Sequence, residues 1–302
     1  MKPADILLTL AVVVIWGANF VVMKVGLEVL PPLLFTFLRF LFAALPLVLF
    51  VRRPAVPLRL IAAYGLAQFA IQFAMLFGGM KLGMPAGLSS LVIQLQAFFT
   101  IALAALMLGE RPRAAQLAGA AIALAGMGLV AIHIESKTTL VGLAMVIAGG
   151  VSWAFGNIYT KRIALHAQAS GAKVEALQIV AWGSLVAVPP LALMSLAVEG
   201  PDVIRSALAA IDWRIAAAVL FNAYATTIFG FGAWSVLMRR YPTATVAPFT
   251  LLVPIVGMGS AAIFLGETMH WWAIAAGALV LAGLAINQFS TLRPASRGDA
   301  AR

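Results

Sequence analysis

The chain has no cysteine in its 302 residues, which excludes a disulfide framework and thiol chemistry. Acids are also scarce, with 10 Asp and Glu against 20 Lys and Arg. None stands near the middle of a long apolar run: Asp5, Glu28, Glu110, Glu135, Glu175 and Glu267 all fall near run ends or in connections. That lack argues against a small four-helix cation pump, which needs a buried carboxylate to hold cation and proton in turn. It also leaves a proton, the candidate coupling ion, without an obvious carrier, because His133, His166 and His270 sit at run ends or in connections. Three scattered histidines without cysteine supply no H-E-x-x-H pair and no nucleophile with its base, so no enzyme activity, metal site or cofactor is expected.

What the chain does have is apolar length. It is 63% hydrophobic and 10% charged. Apolar runs near 20 residues recur at 5–26, 32–51, 58–79, 85–108, 114–132, 139–161, 174–197, 214–238, 242–265 and 269–290. A hydrocarbon core of about 30 Å takes roughly 20 helical residues to cross. Runs such as AIALAGMGLVAI are apolar on every side, whereas a barrel strand alternates in polarity over about ten residues. The expected fold is therefore an all-α integral membrane protein with ten transmembrane helices. The first run is too long for a signal peptide and lacks a small-residue cleavage site.

The net charge of +10 reports topology and not a nucleic-acid partner. With Lys2 on the cytoplasmic side, alternate connections place 14 Lys and Arg inside, among them Arg52, Arg53, Arg111, Arg113, Arg162 and Arg240. Lys24, Lys81, Lys137, Arg205 and Arg214 make 5 outside, and Arg39 lies within a span. That bias predicts both termini in the cytoplasm, the tail 291–302 included.

The sequence also repeats itself. WGANFVVMK at 16–24 and WAFGNIYTK at 153–161 share Trp and Lys at the same spacing, with Asn157 slipped by one position relative to Asn19. A shift of 157 aligns 84–130 with 241–287 without a gap, placing Pro85 on Pro242, LGE 108–110 on LGE 265–267, and Gly126 on Gly283. The two shifts differ by an insertion, best placed in 198–214. Five spans per half make the copies inverted, 1–137 and 138–290. This is a plan of secondary transporters, with the site near the midplane and alternating access.

The segments VVVIWGANFVVMKVGL (12–27), PPLLFTFLRF (31–40), GMPAGLSSLVIQLQAFFTIAL (83–103), LGERP (108–112), GNIYTKR (156–162) and TATVAPFTLLVPIVGMGSAAIFLGE (243–267) resemble the EamA family of the drug/metabolite transporter superfamily. The likeness covers the whole chain and is greatest to the branch exporting O-acetylserine and cysteine. It implies ten helices around a central cavity, a small-molecule substrate and a bacterial inner-membrane location. The alternatives are a multidrug or other metabolite exporter of the same superfamily, or a membrane scaffold that transports nothing. Neither the substrate nor the oligomeric state is legible.

Polar groups inside apolar spans are costly and usually face the bundle interior. The expected substrate-binding set is Asn19, Gln68, Gln72, Gln94, Asn157, Asn222 and Tyr224, with Trp16, Trp153 and Trp234 as walls, on spans 1, 3, 4, 6, 8 and 9. Packing bonds between helices, or an interfacial belt for Trp234, are the competing readings. Gln68 and Gln72 share a helix face, whereas Gln94 and Gln96 point about 200° apart. Gln94 is therefore assigned to the cavity and Gln96 to a neighbouring helix. A gating or structural role is expected for Lys24, Lys161, Arg39, Glu110 and Glu267. For Arg39 a structural bond to backbone or helix-end oxygens stands beside a carboxylate-binding reading. The two lysines, at opposite mouths, are expected to pair with helix-end carbonyls or with Glu110 or Glu267. Glu110 and Glu267 also read as polar residues beside a turn. Gly79, Gly83 and Gly87 straddle a turn and are not expected to form a helix-packing motif. Pro248 and Pro254 stand where the first half has Leu91 and Ala97, which predicts a bend in span 9 that span 4 lacks.

Overall fold

The computed structural model describes residues 1–133, 137–241 and 243–290, and there the chain is helical throughout, with no strand. The cytoplasmic tail expected at 291–302, Glu135 and Pro242 lie outside the described residues. The spans are α1 (Pro3–Val29), α2 (Pro32–Phe50), α3 (Leu58–Lys81), α4 (Ala86–Leu108), α5 (Ala114–His133), α6 (Lys137–Ser170), α7 (Ala176–Glu199), α8 (Trp213–Met238), α9 (243–265) and α10 (Trp271–Ser290). Among the described residues nine of these are long and apolar enough to cross a membrane. The tenth, α9, is broken and leaves only a shorter apolar stretch, Phe249–Leu265. A short extra helix, Pro201–Ala209, fills the insertion between α7 and α8.

Why the helices stop where they do is visible at LGE. Gly109 and Gly266 end α4 and α9 in the left-handed region, at φ 69° and 64°, where a side chain would be strained. The following Glu110 and Glu267 return their backbone N–H to Ala104 and Ala261, both at 3.3 Å. The repeated tripeptide is thus a repeated helix stop. Outward-facing Leu49, Phe50, Leu106, Ile132, Ile263 and Phe264 are exposed, as a lipid-facing surface requires.

Helix pairing follows the duplication. Helices α2 and α7 pack together, as do α5 and α10. The contact of α1 with α9 is matched by that of α6 with α4, and α3 with α6 by α8 with α1. Close approach needs small residues. A Cβ on Gly79 would lie 2.6 Å from the Gly142 carbonyl, and one on Gly142 would lie 2.7 Å from that of Gly79, locking α3 to α6. Gly79 is therefore a packing residue, although not through a shared motif: Gly83 makes a turn at φ 96°, and Gly87 faces Glu267.

The expected contrast between spans 4 and 9 is not found. Span 9 does break, with a 3₁₀ segment at Ala247–Leu251, but span 4 has its own at Ile93–Leu95. A shift of 157 carries 93–95 onto 250–252, so the breaks are equivalent and proline is not needed to make one. A π-helical segment in α3, Leu66–Ile71, maps in the same way onto 223–228, inside the π segment Phe221–Phe229 of α8. Such segments are rare and recur at functional sites.

Candidate functional site

The irregular segments of α3, α4, α8 and α9 surround one cavity of about 140 Å³ between the two halves. Helix α1 contributes Trp16, Asn19, Phe20 and Met23; α3 contributes Gln68, Gln72, Phe73 and Leu76; α4 contributes Ile93, Gln94 and Gln96. Arg39 enters from α2, Trp153 from α6, Thr226 and Phe231 from α8, and Thr250 and Val253 from α9. Phe73 and Thr250 were not among the expected site residues, because an isolated Phe or Thr in an apolar span carries no signal, whereas Thr226 belongs to the polar run of α8.

The polar groups are buried and mostly bonded. Gln68 Nε2 donates to Gln72 Oε1 at 3.0 Å, and both side chains are buried. Gln94 Nε2 reaches the carbonyl of Thr250, 3.4 Å away across the two 3₁₀ breaks. Trp16 donates its indole N–H to the Thr226 carbonyl at 3.1 Å. Asn19 Oδ1 is an exception: it is buried in the cavity wall and accepts no hydrogen bond from the described residues. An orphaned acceptor of this kind costs roughly 1–3 kcal/mol.

Several expected residues stand elsewhere. Asn157 donates to Gln96 Oε1 at 2.8 Å and Thr100 Oγ1 at 3.0 Å, bonding α6 to α4 behind the cavity. Tyr224 is 42% exposed and does not reach the cavity. It lies two residues from Asn222 and so points to the other side of α8. Trp234 lies behind Trp16, their rings 5.3 Å apart and tilted by 46°, so it is packing and not wall. Gln94 and Gln96 both border the cavity, contrary to the expectation that only one would. The 3₁₀ turn between them advances about 120° per residue instead of 100°, which brings the two directions closer.

Arg39 is buried at 2% exposure, and among the described residues its partners are side chains and not backbone carbonyls or helix ends. Its Nη1 donates to Asn222 Oδ1 at 3.0 Å, its Nη2 to Thr226 and Thr227 Oγ1 at 3.2 and 3.1 Å, and its Nε to Thr227 Oγ1 at 3.2 Å. The π segment makes this possible. Asn222, Thr226 and Thr227 are four and five apart, and both threonine hydroxyls donate to the Asn222 carbonyl, at 2.6 and 2.8 Å. Asn222 thus holds Arg39 and does not itself border the cavity.

At the helix ends, Lys161 pairs with Glu110, both about half exposed. Lys24 does not mirror this: it is half-buried and makes no hydrogen bond or ion pair with the described residues. Lys81 instead donates to the Leu27 carbonyl that ends α1. Glu267 is more than a turn residue. Its Oε1 and Oε2 accept from the N–H groups of Ala86 and Gly87 at 2.7 and 3.0 Å, capping α4. Glu199, at the end of α7, caps α2 likewise through Leu33 and Leu34 at 2.6 and 2.9 Å. A wider cleft of about 860 Å³ opens beside Glu267, lined also by His133, His270 and Trp272.

A cavity at the repeat interface of ten helices has close relatives. The model of the EamA-like transporter family matches residues 4–132 and 140–288. The chain belongs to this family. It is 46% identical over 292 residues to a Salmonella typhimurium protein named "Probable amino-acid metabolite efflux pump", covering 96% of each chain. An Escherichia coli protein of the same name is 42% identical over 294 residues, again with 96% of each covered. A solved crystal structure with 18% identity shares the fold at a TM-score of 0.66, covering 99% of this chain and 100% of its own. This EamA-family chain is thus an integral membrane protein of two inverted repeats, and its family is one of transporters.

Proposed function

We propose that the chain is a multi-pass inner-membrane exporter of amino acids or related small metabolites. It works by alternating access, rocking halves 1–137 and 138–290 about the cavity, with both termini cytoplasmic. The observation that carries this is the cavity itself. It lies where the irregular segments of both repeats meet, and it joins buried amides, an arginine and an unbonded Asn19 carbonyl to aromatic walls. The names borne by the relatives at 46% and 42% identity support the substrate class.

Size favours a small solute over a drug. The cavity measures about 140 Å³. An engineered apolar cavity of about 150 Å³ admits benzene, whereas drug-sized pockets run from about 300 to 1,000 Å³. Cysteine and O-acetylserine are within reach of a modest opening.

The test is counterflow in proteoliposomes against labelled amino acids, O-acetylserine and nucleobases. Accumulation of one or more amino acids above protein-free vesicles is expected. If no compound accumulates, the scaffold reading replaces export. If nucleobases move and amino acids do not, the substrate class is wrong.

A further inference from the structure

The guanidinium of Arg39 carries a charge that no carboxylate among the described residues neutralises. Ion pairs among the described residues join Lys161 to Glu110, Arg205 to Asp202, Arg214 to Asp212 and Arg240 to Asp5, and none reaches Arg39. Its acceptors are one amide oxygen and two hydroxyls, all neutral. The face of Phe73 lies 3.9 Å from Cζ, which attracts a cation without cancelling its charge. A guanidinium has five N–H groups, and the contacts to Asn222, Thr226 and Thr227 use four, leaving one on Nη1. An ion buried in this way is retained against a large desolvation cost. The side chain borders the cavity, as does that of Asn19 on a different helix, whose buried Oδ1 accepts no hydrogen bond from the described residues.

We propose that Arg39 receives the carboxylate of the substrate while Asn19 Oδ1 accepts from its ammonium group, so that the cavity takes small α-amino acids as zwitterions. This rests on the export reading and narrows it. A carboxylate supplies the missing counter-charge and accepts one charge-assisted hydrogen bond from the remaining Nη1 N–H of a guanidinium that is already oriented by the π segment of α8. The ammonium supplies a donor to Asn19 Oδ1, which receives none from the described residues. The Gln68 and Gln72 pair and the Gln94 amide then flank the α-carbon, and the side chain lies against Phe20, Phe73 and Trp153. An amine without a carboxylate, or an amino-acid amide, brings no anion to Arg39.

The experiment compares, in the same proteoliposomes, each labelled amino acid that is transported with its carboxamide and its decarboxylated amine; for serine these are serinamide and ethanolamine. In the parent protein the acid should compete better than either analogue by about tenfold to a hundredfold, the range of a charge-assisted hydrogen bond. Arg39→Gln should erase that ratio, and Arg39→Lys should keep the preference for the acid with weaker apparent affinity. Should Arg39→Gln fail to fold, the parent ratio and Arg39→Lys still decide. Equal competition by acid and carboxamide in the parent overturns the role of Arg39 and leaves the export reading standing. Transport of none of the acids overturns the export reading and this inference with it.

Discussion

At the scale of single residues, the cavity wall contains one bonded pair of amides. Gln68 and Gln72 bond to each other, and neither holds two helices together. Replacing both with Leu should abolish transport while leaving membrane insertion and thermal stability nearly unchanged, since polar bonds inside membrane bundles average about 0.6 kcal/mol. Normal counterflow by the double variant would remove the pair from the site. Gly156 offers a second probe without touching an amide. A Cβ there would run into the Gln68 side chain, so Gly156→Ala should turn Gln68 aside and raise KM several-fold, with at most about 1–3 kcal/mol lost to overpacking. An unchanged KM would show that the orientation of Gln68 is immaterial. The amides of α1, α3 and α4 were legible as cavity residues because a polar group in an apolar span has few other places to go. Tyr224 and Trp234 lie off this cavity, because an amphipathic tip satisfies itself equally well at lipid or against another ring.

At the scale of helices, the breaks matter more than the spans. The π segments of α3 and α8 and the 3₁₀ segments of α4 and α9 are related by the repeat, yet no residue type in them announces a change of pitch. Proline marks only one of the four, at Pro248, which is why a bend was expected in α9 alone. The helix ends show the converse. LGE stops α4 and α9 identically, but the two carboxylates then part, Glu110 to Lys161 and Glu267 to the first turn of α4. A carboxylate on a helix N-terminus contributes about 0.3–1 kcal/mol when exposed and up to about 2 kcal/mol when partly buried. Glu267→Ala should therefore loosen the contact of α9 with α4. Because the chain has no cysteine, one placed at Leu88 serves as a clean reporter. Its labelling by a membrane-impermeant thiol reagent should speed up severalfold in Glu267→Ala, and unchanged labelling would mean that the cap does not hold that side closed.

At the scale of the molecule, unlike contacts tie the helix ends at the two faces. One has the Lys161–Glu110 pair; the other has two carboxylate caps, Glu199 on α2 and Glu267 on α4, together with Lys81 on the end of α1. A mutation shifts a two-state transporter only by what it changes in one state relative to the other, and about 1.4 kcal/mol shifts the ratio tenfold. Lys161→Met removes an existing pair and should open the face that holds it. Lys24→Met removes no bond present here, and should change accessibility only if Lys24 finds a partner in the opposite state. Reporter cysteines labelled from either side of oriented vesicles measure both effects. If Lys161→Met and Lys24→Met label like the parent, neither lysine gates.

Composition and period alone determined the solvent, the helical class, the ten spans and the inverted duplication, because a bilayer admits few folds and a repeat is visible in the letters. The segment 198–214, where the insertion is expected, carries a short helix, Pro201–Ala209. What only the tertiary structure decided was direction and partnership. A helical wheel assumes 100° per residue, and the π and 3₁₀ segments abandon it where the cavity lies. That is how Asn222 came to hold Arg39 and Gln96 to join Gln94 at the cavity. Nor can a sequence say which of two equivalent glutamates finds a lysine and which a helix end. That choice depends on where the two halves sit against each other, and duplicated halves can sit in more than one way.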